Sequence, residues 1–238
     1  MHKALAAISL ALAAQAASAA PILINFDDRT GMANSPGAPV PLASRLSDQY
    51  QALTGAVFSS DSPGSPDSPF VAVVDLQACC GPNHTISNPN GIGGVDALGR
   101  LSYGTPFIIT FFEAATGLPG VTDFVQIRGD RLAANGTASM MAFGLDGTLL
   151  ASDTEPDSTV GLTLQVNVAG IHRVVVSETQ PNIAFDQLQF NPAVAVAEPG
   201  SLLLLGIGLL GVFASMRNRS LGLGRRGLGR GALPILDA

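Results

Sequence analysis

Thr137-Ala138-Ser139-Met140-Met141-Ala142-Phe143-Gly144-Leu145, then Asp146-Gly147, then Thr148-Leu149-Leu150-Ala151-Ser152 is the stretch that decides the fold. Two apolar runs flank an Asp-Gly pair, and such a pair supplies the positive φ that a tight hairpin turn demands. The stretch therefore predicts two antiparallel strands. The same pattern extends in both directions. Short runs rich in Val, Ile, Phe and Thr recur between clusters of Gly, Pro, Asn and Asp, as strands separated by turns require. Besides the two strands of the hairpin, the expected strands are Ile22–Phe26, Gly55–Ser59, Phe70–Leu76, Phe107–Phe112, Asp123–Arg128, Leu162–Asn167, Ile171–Ser177 and Asn182–Phe190. Gly170 is expected to turn the chain between two of them. No stretch of the body holds a 3.6-residue apolar period, so no long helix is expected there. The body reads as all-β, and ten short strands in one domain predict a two-sheet antiparallel sandwich rather than a small barrel.

Between these strands the first half is looser. Thr30 to Pro41, Ser59 to Pro69 and Ala78 to Gly94 are rich in Pro, Gly, Ser or Asn and are expected to be exposed loops. The last holds Cys79-Cys80, the chain's two cysteines. Adjacent cysteines cannot staple distant segments. They close a vicinal disulfide ring, stay reduced, or bridge to another chain, and their spacing fits neither a zinc ligand pair nor a redox CxxC. No GxSxG elbow, HExxH helix or P-loop is present. His84 and His172 read as surface or hydrogen-bonding residues rather than bases. The chain has no Trp and two tyrosines. Tyr50 is expected to pack, and Tyr103, beside Gly104, is the candidate for an exposed ring that contacts a glycan.

The two ends are addresses rather than fold. Residues 1–19 join a basic start (His2, Lys3) to an apolar stretch and the small residues Ala17-Ser18-Ala19, which is the pattern of a secretory signal helix cut by signal peptidase. Residues 20–195 form the sandwich domain. Between Pro21 and Ala197 sixteen carboxylates face six arginines and no lysine, a formal charge of −10 against −6 for the whole chain. Such a surface repels nucleic acid, so no nucleic-acid partner is expected. Leu202 to Met216 is apolar and fifteen residues long. As a helix it would reach roughly 22 Å against a hydrocarbon core of about 30 Å, a short transmembrane segment held only transiently in the inner membrane. Arg217, Arg219, Arg225, Arg226 and Arg230 follow it, which keeps residues 220–238, a basic flexible tail, on the cytoplasmic side.

Ala197-Glu198-Pro199, the apolar run and the arginines together resemble the C-terminal sorting signal of bacterial PEP-CTERM proteins, over residues 196–219. Glu198 and Pro199 match its processing motif, and Ala197 stands where the family has a first proline. The resemblance implies an exosortase-like processing enzyme as partner, and a protein exported across the inner membrane to the cell surface or extracellular matrix. A second resemblance rests on Ile24-Asn25-Phe26-Asp27-Asp28, on Tyr50 with Gly55-Ala56-Val57-Phe58-Ser59-Ser60, and on Ile183-Ala184-Phe185-Asp186-Gln187-Leu188-Gln189-Phe190. These look like the jelly-roll domains found ahead of that signal, which are similar in turn to carbohydrate-binding sandwiches.

The closing strand carries one oddity. A two-residue period puts Asp186 on the same face as Leu188 and Phe190, opposite Ile183 and Phe185. A carboxylate so placed needs donors or a metal. Either the strand bulges or hydroxyl and backbone donors serve it, or it joins Asp27 or Asp28 in a structural Ca²⁺ site, since jelly rolls often pair their first and last strands. No other cofactor is expected. The sequence thus reads as an exported, non-catalytic surface or matrix protein, structural or weakly glycan-binding, in contact with exopolysaccharide. The alternative is a secreted hydrolase acting on an extracellular polymer.

Overall fold

The computed structural model describes residues 20–61, 68–77, 86–87, 89–131, 136–156, 161–179 and 183–196. They belong to one compact unit that ends at Val196. The expected signal helix, Cys79 and Cys80, His84, and the segment from Ala197 through the apolar run Leu202–Met216 to the tail lie outside the described residues.

Fourteen strands follow one another among the described residues: β1 Ile22–Ile24, β2 Met32–Ala33, β3 Arg45–Leu46, β4 Ala56–Ser60, β5 Val71–Asp75, β6 Asn90–Gly93, β7 Phe107–Phe111, β8 Gly120–Arg131, β9 Thr137–Phe143, β10 Leu149–Pro156, β11 Leu162–Ile171, β12 Arg173–Glu178, β13 Ile183–Phe190 and β14 Val194–Ala195. They form two sheets. One has five strands in the order β10-β9-β12-β7-β4. The other has nine, with the path β11-β8-β13-β6-β5-β2; β1 joins it on β13, β14 on β8 and β3 on β5. All pairs are antiparallel except β2 with β5.

The Asp146-Gly147 hairpin joins β9 to β10. Gly147 has φ of 81°, and the Asp146 carboxylate takes the Thr148 amide at 3.0 Å and its hydroxyl at 2.8 Å. Those bonds hold the Asp146 carboxyl below its ordinary range. Gly170 sits late in β11, one residue before Ile171, and the chain then passes from one sheet to the other at His172. The His172 Nδ1 lies 2.9 Å from the Gly120 carbonyl, and the ring meets Phe112 edge-on. It braces the crossover.

Two apolar layers result. The main core fills the space between the sheets with Phe26, Phe58, Phe111, Ile127, Met140, Leu164, Phe185, Phe190 and their neighbours. A second cluster lies on the outer side of the nine-stranded sheet, where Met32, Val40, Leu101 and Tyr103 cover Ala72, Val74 and Ala184. The segments expected as loops at Thr30–Pro41 and near Gly94 form this cover. Within them β6, Asn90–Gly93, is a fully buried strand rather than a turn. Its glycines answer to close approach. A Cβ at Gly91 would stand 2.8 Å from Leu76 Cδ1 and 3.0 Å from the Phe185 carbonyl oxygen, and one at Gly93 would stand 2.7 Å from the Tyr103 ring.

Candidate functional site

The three stretches that carried the jelly-roll resemblance meet in space. β1 pairs with the second half of β13, Ile22 opposite Phe190 and Ile24 opposite Leu188. Past β1 the chain takes a positive φ of 61° at Phe26. The Phe26 ring packs edge-on against Tyr50 and Phe58, with centroids 6.1 and 5.8 Å away. β1 and β13 therefore lie side by side where the sandwich closes.

Asp186 lies at this closure. Ile183 and Phe185 point into the main core, and so do Leu188 and Phe190. Both pairs can face inward because Gln187 takes a φ of 48° and the register against β8 slips by one residue between Asp186 and Gln189. The bulge corrects the simple two-residue alternation, which had put Asp186 with Leu188 and Phe190. The carboxylate instead shares the outer face with Ala184. It does not reach water, being 1% exposed. Ser87 covers it, donating its amide at 2.7 Å and its hydroxyl at 2.8 Å to Oδ2, and the Gln187 amide donates to Oδ1 at 2.6 Å. Burial nevertheless pushes the Asp186 carboxyl up to about 6, against the pull of the Ser87 and Gln187 donors and with a smaller push from Asp27.

Asp27 and Asp28 serve other partners. Asp27 accepts the Asn90 amide at 3.1 Å and the Asn25 side chain at 2.8 Å. Asp28 accepts the Tyr50 hydroxyl, and burial followed by that bond raises the Tyr50 pKa. The side-chain amide of Asn90 donates to the carbonyls of Phe26 at 3.1 Å and Arg29 at 2.7 Å, pinning the first loop. Among the described residues the Asn90 Oδ1 has no hydrogen-bond partner, and it is buried against Gly31, where a Cβ would clash with it. The three carboxylates expected to gather round Ca²⁺ thus divide among separate protein donors. Among the described residues no group of three or more His, Cys, Asp or Glu is placed to hold a metal ion.

Tyr103 also departs from expectation. Its ring is 5% exposed and lies on Gly93, and its hydroxyl donates to Asn34 Oδ1 at 3.0 Å. Burial, and then the charge of Glu178, raises its pKa. It is part of the outer apolar layer and offers no open face for a sugar to stack on. A cleft of about 250 Å³ lies elsewhere, at the start of β8, lined by Val121, Thr122, Asp123, Ala169, Gly170, Pro192 and Val194.

Residues 195–219 match the PEP-CTERM protein-sorting motif. That motif is a C-terminal export and sorting signal of proteins that end on the cell surface or in the extracellular space, and it implies processing by an exosortase-type enzyme. The chain is accordingly an exported protein. No curated protein matches it significantly. Among solved structures, it is similar at a TM-score of 0.39 and 13% identity to a DUF4465 family protein from Bacteroides caccae, over 72% of this chain and 99% of that one. It is similar at 0.30 and 13% to a family 6 carbohydrate-binding module, over 72% and 93%. A carbohydrate-binding module of lichenase 5A from Cellvibrio mixtus, solved with cellotriose, gives 0.29 and 9%, over 73% and 98%.

Proposed function

We propose that the exported body is a non-catalytic component of the cell-surface or extracellular-matrix layer, acting as a structural element or through weak glycan binding. One observation carries this reading. The carboxylates that the sequence nominates for a structural metal site are turned to internal work: Asp186 holds Ser87 and its own bulge, Asp27 holds Asn90 and Asn25, and Asp28 holds Tyr50. A general acid or base must reach a substrate proton; Asp186 is buried beneath Ser87, and Asp27 and Asp28 are each engaged by protein donors. The sorting motif supplies the destination. The test is to incubate the exported protein with soluble neutral polysaccharides and assay for new reducing ends. None are expected. Release of reducing ends that disappears in Asp186→Asn would establish the hydrolase in its place.

A further inference from the structure

The outer face of the nine-stranded sheet divides in two. At the β5–β6 end the second apolar layer covers it. At the β11–β8–β13 end it carries a row of side-chain amides. Gln165 on β11 stands opposite Gln126 on β8, and Gln126 stands opposite Gln189 on β13. Residues directly opposite each other in antiparallel strands project to the same face. The alternation confirms which face this is, since Leu164, Val166, Val125, Ile127, Leu188 and Phe190 point into the core. Three glutamines therefore line up across three strands, over about 10 Å, two inter-strand spacings. The bulge at Gln187 is what brings Gln189 into the row.

None of the three amides makes a side-chain hydrogen bond within the described residues. Beside the row, half-buried Phe124 stands opposite exposed Asn167. Arg128 flanks its other side and is held by Gln187 Oε1 at 2.9 Å. From Phe124 to Arg128 the one carboxylate opposite these strands is Asp186, closed over by Ser87. At the β11 edge Asp153 Oδ2 accepts the Gln165 backbone amide at 2.7 Å, so on a chain of net charge −6 the charges beside the row, Asp153 and Arg128, are each tied to a protein partner. An amide both donates and accepts, as a sugar hydroxyl does, and a partly exposed aromatic ring beside such groups suits a sugar's C–H face.

The geometry points to this amide row as a binding face for a neutral polysaccharide chain lying across β11, β8 and β13. The inference rests on the non-catalytic, glycan-binding form of the proposed function and gives it a place. The charge balance selects the occupant: the acidic body repels a polyanion, and the apolar groups of this face, Phe124 on β8 and Leu23 on β1, 60% exposed and opposite Gln189, stand beside the amides and suit the C–H faces of a sugar chain.

Native affinity electrophoresis tests it, with the full chain in mild detergent run through gels containing hydroxyethylcellulose, dextran or galactan, and alginate as the polyanion. Retardation by at least one neutral polymer is expected. The double variant Gln126→Ala/Gln165→Ala, on solvent-facing positions, should keep its melting temperature and bind about tenfold more weakly, having lost two amide contacts. Ser152→Ala/Thr154→Ala on the other sheet should bind as the parent does. The inference is overturned if no neutral polymer retards the protein, if the double variant is retarded as strongly as the parent, if alginate alone retards it, or if the double variant abolishes a self-association of the chain instead. Release of reducing ends that still requires the amide row would overturn the non-catalytic reading while supporting the site.

Discussion

The Asp186 carboxyl accepts two bonds from Ser87 and one from the Gln187 amide, all favouring its charged form, yet burial wins and lifts it to about 6. The raised value means that the folded state holds this proton more tightly than the unfolded chain, whose value is 3.8. The stability it contributes is full below about 3.8 and is lost as pH rises through about 6. Between about pH 4 and 7 the melting temperature of the parent should therefore fall more than that of Asp186→Asn; parallel curves would refute the assignment. Near pH 5, Asp186→Ala leaves the Ser87 and Gln187 donors unpaired and should cost about 1–3 kcal/mol in chemical denaturation. Because Asp27, Asp28 and Asp186 are each committed to protein donors, EDTA and Ca²⁺ should leave the melting temperature of the parent unchanged, and a rise with Ca²⁺ would show a cation joining them. The sequence made Asp186 conspicuous, as a carboxylate in an apolar strand. Its direction was hidden because Gln187, which turns it, carries no turn signal of its own. Tyr103 misled for a similar reason: it does sit in a turn beside Gly104, but the residue that receives its ring is Gly93, ten positions earlier on β6.

Strands that repeat apolar residues over five positions or more were legible as elements. The ten expected ones are all present, with ends shifted by a few residues. The four that were not foreseen, β2, β3, β6 and β14, are two to four residues long, and such lengths hold no period to read. β6 is the instructive case, since Asn90-Gly91 is a turn signal in isolation. Here glycine is required because Leu76, the Phe185 carbonyl and the Tyr103 ring occupy the space of a side chain. Gly93→Ala should cost about 1–3 kcal/mol by overpacking, read from the denaturant midpoint, and Tyr103→Leu in the same chain should recover part of it. The bulge in β13 gives a second expectation. A β-branched residue tolerates positive φ poorly, so Gln187→Val should destabilise by about 1–3 kcal/mol, and Gln187→Asn by less. Equal effects would mean that the lost Arg128 contact matters and the backbone does not.

At the scale of the whole molecule, the two-sheet architecture was legible because its evidence is distributed over ten strands. The candidate site was not, because it depends on which strands become neighbours: β13 lies between β8 on one side and β1 with β6 on the other. The destination was legible for the opposite reason, since residues 195–219 form a contiguous motif. Mass spectrometry of the exported protein should find residues 1–19 removed and nothing beyond the Ala197–Ser201 region. A surface species that keeps the Arg217–Ala238 tail would instead mean a permanent anchor. Strand β14 ends where that motif begins. Val194 and Ala195 pair with Val121 and Gly120, and the Val196 amide reaches the Pro119 carbonyl at 3.2 Å. Just upstream, the Asn191 carbonyl accepts the Thr122 hydroxyl at 2.8 Å, and the Asn191 side chain reaches Asp123 at 2.7 Å. A pull from the C-terminal side should meet this two-residue strand first and open its few bonds before any others. The load then passes to the Asn191 clamp, and only afterwards to eight-residue β13 in the centre of its sheet. The end of the body is thus expected to yield before the core does when the protein is pulled from its C-terminus. A force trace from the C-terminus should show that early, low-force step ahead of the main rupture, and Asn191→Ala should bring the two together.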